Sequence, residues 1–292
     1  MKKTKLKKDR SSYYAYIMGV WFTVFFLFPI LLIVIYSFLE KGLYGGVEWH
    51  FSFHAYREIF QKAYGLIFTR TVIISLEATL YTIIIAIPCA LALARSKKQT
   101  LFLTLIIIPF LINSLLRIFA WMSLLGSDGI INRMLMQMNI IDEGMSLLYN
   151  RRAVILVMVY MYLPYAILPI FSAIDRFDFS LLEAARDLGA TKMQSYVKVL
   201  LPSIKSGINT AIIFTLIPAF GAYTIPLFVG GKDSYLIGNL IVDQVNKTRN
   251  WPLAAAFSVL LTLLSTVLVM YLFVNDRSER TGDKKKGVKN EY

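Results

Sequence analysis

The sequence predicts an all-α membrane protein of six transmembrane helices, and three observations predict it. Of the 292 residues, 57% are hydrophobic and 17% charged, less charge than the roughly 25% of a typical soluble domain. The apolar residues also fall in long runs rather than amphipathic stripes. Six runs lie near residues 16–39, 66–94, 101–125, 153–174, 207–229 and 253–274, and each suits the ~20 apolar residues a helix needs to cross a hydrocarbon core of about 30 Å. Finally, basic residues bunch in alternate connecting segments. Twenty of the 31 Lys and Arg residues fall in four of them: Lys2 to Arg10, Arg95 to Lys98, Arg176 to Lys205, and Arg277 to Lys289. The positive-inside rule then places both termini in the cytoplasm. The net charge of +13 is thereby a topology signal, with attraction to anionic lipid as a secondary effect, and needs no nucleic-acid partner.

Residues 1–15 read as a basic cytoplasmic segment and 16–274 as the membrane domain. The first run, Tyr16 to Leu39, exceeds the roughly 7–15 residues of a signal-peptide core and is followed by no small-x-small cleavage site, so it is expected to be retained. The following external loop contains WHFSFHAYREIF, whose Trp49, Phe51, Phe53, Tyr56 and Phe60 suit the bilayer interface. His50 and His54 could share a helix face, but without a carboxylate ligand or an HExxH pattern they do not make a metal site. The second run holds the lone cysteine, Cys89, which precludes a disulfide within the chain and reads as a small packing residue. DGIINRMLMQMNIID, after the third run, suits a short amphipathic helix. Before the last run, Asn250 is a candidate helix cap and Pro252 a helix start. Prolines interrupt five of the six runs, at Pro29, Pro88, Pro109, Pro164 with Pro169, and Pro218 with Pro226. Each removes a helix hydrogen bond and favours a bend. Residues 275–292 read as a basic cytoplasmic tail.

The polar connection at 175–205, between runs four and five, contains SLLEAARDLGATKMQSYVKVLLP. Ser180 and Glu183 have the spacing of a capping box, Gly189 suits a helix end, and Thr191 with Gln194 repeats the capping pattern. A helix–turn–helix is expected, its second helix running towards Leu201 and closed by Pro202. Ala184 and Ala185 form a low-relief patch beside Leu181, Leu182 and Leu188. Such a rod could seat in a partner's groove or pack as a connector on its own membrane domain.

This segment resembles the EAA loop of ABC-importer permeases: Glu-Ala-Ala, three residues, Gly, nine residues, then Ile-x-Leu-Pro. Glu183, Ala184, Ala185, Gly189, Leu201 and Pro202 match in place, and Val199 stands where isoleucine is usual. PFLINSLLRIFAW and IGNLI with NWPLAAA are similar to the first permease subunit of spermidine/putrescine importers. The resemblance implies the type I ABC importer permease (MetI-like) fold, with cytoplasmic EAA coupling helices between helices 4 and 5. It implies an inner-membrane protein working with a second homologous permease, a dimer of ATPase subunits and an external substrate-binding protein. ATP and Mg would be bound on the ATPase, with no cofactor on this chain. Leu182, Glu183, Ala184, Ala185, Asp187, Gly189, Ala190, Leu201 and Pro202 would dock on the ATPase. Relatives that carry opines, aminoethylphosphonate or iron leave the cargo open, and an ion-coupled secondary transporter is a further alternative.

Two charges lie well inside the runs, Glu77 and Arg117. Either they form an ion pair locking runs two and three, or Glu77 receives a substrate ammonium with Tyr81, Trp121 or Tyr160 adding cation–π contact. Asn113 and Ser114, one turn away, could hydrogen-bond cargo or cap a proline-freed carbonyl. No enzyme is expected. GGKDS at Gly230 lacks the earlier glycine of a phosphate loop, that position being Pro226, and Glu77 has no catalytic partner of its kind within the runs.

Overall fold

The structure, a computed structural model, describes residues 9–289; residues 1–8 of the basic amino-terminal segment and residues 290–292 lie outside the described residues. Among the described residues, five helices are long and apolar enough to cross a membrane: Tyr16–Tyr36, Lys62–Ala94, Ser114–Gln137, Arg151–Asp175 and Trp251–Val274. A sixth crossing is made if Lys192–Ser203 and Lys205–Phe220, bent by 70°, count as one span. The third expected run is two helices, Gln99–Leu111 and Ser114–Leu125. Its break has a local cause. Pro109 weakens the end of the first helix, Ile112 is extended, and Asn113 starts the second by accepting the Leu115 amide at 2.8 Å. The fifth run is likewise broken, Lys205–Phe220 being followed by the short helix Thr224–Val229. The last helix is continuous from Trp251 to Lys289, through the tail that composition marks as separate.

Two prolines share one accommodation. A proline ring collides with the carbonyl four residues back and donates no hydrogen bond. Before Pro29 the backbone widens to a π turn over Thr23–Leu27, and before Pro202 to another over Tyr196–Leu200. Each turn shifts the bonding by one residue, so that Phe28 donates to Thr23 and Leu201 to Tyr196. Pro202 therefore lies within a helical turn, Leu201–Ser203, and the chain bends at Ile204 instead of stopping at the proline.

The described residues form two compact units, one up to Tyr64 with Ile241–Thr262, the other Gly65–Leu240 with those from Leu263 onward. In the first, strands β1 (Leu39–Lys41) and β2 (Val47–Phe51) pair antiparallel, a short hairpin in an otherwise helical fold. Phe38 packs on Phe51, Phe53 and Tyr56, and Ser37 shares a 2.9 Å hydrogen bond with Tyr56. His50 lies on β2 whereas His54 opens the helix His54–Ile59, so they do not share a helix face. Asn250 caps the last helix, accepting the Leu253 amide at 3.3 Å.

The second unit is organised by Arg151–Asp175. Its first half is buried with Ile74, Ile118, Val229 and Leu236; its second half is buried with Ala90, Leu182, Leu200 and Ile204. The expected amphipathic helix forms at Ile130–Gln137, and buried Asn132 ties it down through bonds to Gly126 and Met145. Cys89 is exposed and so does not pack in the chain's own core. Gly207 marks a close approach of Lys205–Phe220 to Arg151–Asp175. A Cβ there would stand 2.5 Å from the Ala173 Cβ and 2.9 Å from the Pro169 carbonyl oxygen. Gly207→Ala is expected to destabilise the protein by about 1–3 kcal/mol through overpacking, read as a lower unfolding temperature in detergent. Gly65→Ala, in a helix where a Cβ would meet nothing within 4 Å, should not lower that temperature and should raise it slightly through alanine's better helix propensity.

Candidate functional site

The polar segment after span four folds as the two expected rods, with one different cap. The first helix is Ser180–Asp187, and Ser180 makes no capping bond to Glu183. Asp178 serves instead, its carboxylate accepting the Ser180 amide at 3.0 Å. Hydrogen bonds from the Ser180 side chain and amide hold this exposed carboxyl below its ordinary pKa. Sequence spacing favoured the Ser-x-x-Glu pattern, whereas the turn Phe177–Phe179 brings an aspartate to the same helix end.

The exit of that helix follows from Gly189, whose φ is +88°. Its amide donates to Arg186 at 2.8 Å and the Ala190 amide reaches back to Ala185 at 3.1 Å, the paired bonds of a Schellman end. A side chain at Gly189 would meet nothing within 4 Å, so the requirement is for a left-handed backbone rather than for space. Thr191 and Gln194 then form the expected reciprocal capping box, at 2.9 and 3.3 Å.

The pair has an inner and an outer face. Leu182 is 1% exposed and packs with Ile174, Leu200 and Ile204, which ties the first rod to spans four and five. Glu183, Ala184, Asp187 and Leu188 point away from the chain's own core, with Leu188 at 91% and Met193 at 73% exposure. Ala185 and Ala190 are half-buried, as is Leu201, while Pro202 is exposed. Arg95, at the end of the second span, was legible in the sequence only as one more basic residue. Its guanidinium lies 4.8 Å from the Phe179 ring centroid and 5.7 Å from that of Tyr196; Phe179 directly precedes the first rod, and Tyr196 directly follows Lys192–Ser195 in the second. Both rods are thereby tethered to span two by cation–π contact.

The residues considered for a substrate path separate into different places. Glu77 pairs with Arg151, not Arg117: Nη2 to Oε1 is 2.5 Å and Nε donates to Oε2 at 3.2 Å. Arg151 is the first residue of its helix, so Glu77 stands level with the head of span four rather than at the depth of Arg117. The Arg151 amide also bonds to Asp233 at 3.1 Å, and Arg70 donates to the Lys232 carbonyl at 2.7 Å. These bonds clasp the head of span four, span two and the Lys232–Ser234 turn. Glu77 and Tyr81 line a cavity of about 640 Å³ with Arg151 and Arg152. Ser114 and Arg117 line a separate one of about 290 Å³ with Tyr162, Tyr165 and Tyr223. Trp121 and Tyr160 pack edge to face at 5.4 Å. Asn113 is a helix cap, although for the Leu115 amide rather than for a carbonyl freed by proline.

Residues 82–280 match the family described as "Binding-protein-dependent transport system inner membrane component". The chain belongs to this family of inner membrane transport components. This inner membrane component is 34% identical over 267 residues to the spermidine/putrescine transport system permease protein PotB of Escherichia coli strain K12, covering 91% of this chain and 96% of that one. It is 35% identical over 255 residues to the PotB of Haemophilus influenzae, covering 87% and 89%. Among solved structures it is similar in fold to a chain of a bacterial alginate ABC transporter in complex with an alginate pentasaccharide-bound periplasmic protein, with a TM-score of 0.72 at 17% identity, covering 89% of this chain and 91% of that one. The inner membrane component is thus a transport permease with the fold of ABC-transporter membrane subunits.

The Glu77–Arg151 pair is more than a third exposed on both sides, so screening limits its contribution to on the order of 1 kcal/mol. Glu77→Gln and Arg151→Gln are each expected to lower the unfolding temperature of the purified permease. The exchange Glu77→Arg with Arg151→Glu should recover part of the loss, an energetic coupling read from the double-mutant cycle.

Proposed function

We propose that this chain is one of two permease subunits of an ATP-driven importer of polyamines. The observation that carries the reading is the likeness to spermidine/putrescine permeases, which extends over about nine-tenths of both chains. In this reading the helix pair around Gly189 faces the cytoplasm and seats in a groove of an ATPase subunit. ATP and Mg stay on that subunit, and a second permease completes the pathway. An external binding protein delivers the cargo, and both termini lie in the cytoplasm, as the bunching of basic residues favours.

The geometry supports such coupling. Leu188, Met193, Glu183 and Asp187 offer apolar anchors with a charged rim on an exposed face. Behind that face, Leu182 rests among Ile174, Leu200 and Ile204, while Arg95 holds both rods to span two. A push on the outer face therefore reaches three membrane helices through packed side chains rather than through a flexible linker. The capping box and the Schellman end keep the rods stiff.

Gly189→Val forces a β-branched side chain into a left-handed conformation costing about 1–2 kcal/mol. Gly189→Val and Glu183→Lys are each expected to reduce ATPase co-purification and uptake by on the order of tenfold, while membrane insertion stays normal. Normal uptake in both variants would count decisively against the docking face. For the cargo, the assembled complex with its binding protein in proteoliposomes should take up labelled spermidine or putrescine only when ATP is supplied. Uptake that follows an ion gradient without ATP would replace the reading by a secondary carrier, and ATP-dependent uptake of another solute alone would replace the polyamine assignment.

A further inference from the structure

Three cavities follow one another along one face of Arg151–Asp175. The first, about 290 Å³, is lined by Tyr162 and Tyr165 of that helix and by Arg117 and Tyr223. The second, about 460 Å³, shares Tyr165 and continues past Leu168 to Pro169, with Phe110 and Phe214 on its other walls. The third, about 830 Å³, shares Pro169 and continues over Ser172 to Arg176, close to Asp178 and Leu181 of the helix pair. Tyr162, Tyr165, Pro169, Ser172 and Arg176 succeed one another at intervals of three or four residues, the spacing of a single helix face. The cavities thus trace a groove from the broken segment Gly221–Thr224 to the rods that would meet the ATPase.

At the junction of the first two cavities stand Phe110, Tyr165 and Arg117. The Phe110 ring meets Tyr165 edge to face at 4.8 Å and 81°. The Arg117 guanidinium lies 5.9 Å from the Phe110 centroid. Its Nε is buried and has no hydrogen-bond partner, and among the described residues Arg117 is in no ion pair. The contrast with Arg151 is chemical. Arg151 is held by a carboxylate through two bonds, whereas Arg117 is held in place by an aromatic ring.

We propose that Arg117, Phe110 and Tyr165 form the constriction of this chain's half of the translocation path, with the Arg117 guanidinium acting as a tethered cation that a substrate ammonium replaces on the Phe110 ring. The proposal rests on the polyamine-importer reading above for the identity of the cargo. A guanidinium and an alkylammonium compete for the same ring face, and like charge prevents both from occupying it at once. While Arg117 is seated, it blocks the aromatic junction and repels stray cations. When a substrate ammonium takes its place, the number of charges on the ring is unchanged. The apolar second cavity suits the methylene stretch of a polyamine, and the third leads it to the cytoplasmic end. Glu77 and Tyr81 line a cavity that shares no residue with these three.

Thiol labelling tests the constriction independently of the cargo. In the full complex with Cys89→Ser, Ser172→Cys places one thiol in this permease beyond the junction, to be reached by a cationic methanethiosulfonate added from the Tyr223 side. Labelling is expected to be about tenfold faster with Arg117→Ala, the weight of one desolvated cation–π contact, and to stay slow with Arg117→Lys, which keeps the cation. Phe110→Leu should also speed it, which provides a second route to the answer if Arg117→Ala does not assemble. Equal rates in the parent and in whichever of these open variants assembles would overturn the proposal. In uptake assays Tyr165→Leu should raise the KM for polyamine about tenfold, with Tyr165→Phe near the parent. If the parent complex carries no polyamine, the cargo reading falls while the labelling rates still decide the constriction.

Discussion

The structure depends on the close backbone approach of Lys205–Phe220 to Arg151–Asp175 at Gly207. No side chain fits between Ala173, the Pro169 carbonyl and the Gly207 backbone, so the two helices lie against each other at this point. The same pair of helices brackets the polar rods in sequence, one entering them and one leaving. Their separation sets how far apart the rods' ends can be. Association of membrane helices draws on packing and on small residues that admit close contact, because lipid offers no hydrophobic drive between them. Gly207 supplies that contact between the helix that enters the polar rods and the helix that leaves them.

From that contact outward, the second unit reads as a rigid connection with soft ends. Leu182, Leu200 and Ile204 fill the space beneath the rods, and Arg95 spans both through Phe179 and Tyr196. The bent junction at Ile204 and the π turn before Pro202 lie where the rods rejoin the bundle. Backbone irregularity is tolerated there because neighbouring carbonyls and side chains take up the displaced hydrogen bonds. At the other end of span four, Glu77, Arg151 and Asp233, together with Arg70 on the Lys232 carbonyl, clasp spans two and four to the Lys232–Ser234 turn.

Much of this was legible from one sequence. Apolar runs of bilayer length mark the spans because a buried backbone in lipid must bond to itself, and the EAA pattern with Gly189 marks the turn between the rods because few residues accept a left-handed backbone. The capping box at Thr191 is legible for the same local reason. Pro109 and Pro218 foretell bends near Ile112 and Gly221, but not that each helix stops there, since an apolar run has the same composition whether its helix is bent or interrupted. The β1–β2 hairpin was hidden by its aromatic residues, which suit an interface in any backbone conformation.

Sequence by itself determined which segments are long and apolar enough to cross a membrane, which one stays polar after the fourth of them, and where that polar segment turns. These are properties of neighbouring residues, fixed by hydrophobic length, helix capping and the backbone freedom of glycine. Only the tertiary structure decided the partners of charged groups: Glu77 with Arg151, Arg95 across Phe179 and Tyr196, and Arg117 against Phe110. A charge in a low-dielectric bundle must find a partner. Helix register and tilt determine which one it finds, and neither is written in the spacing of one chain segment.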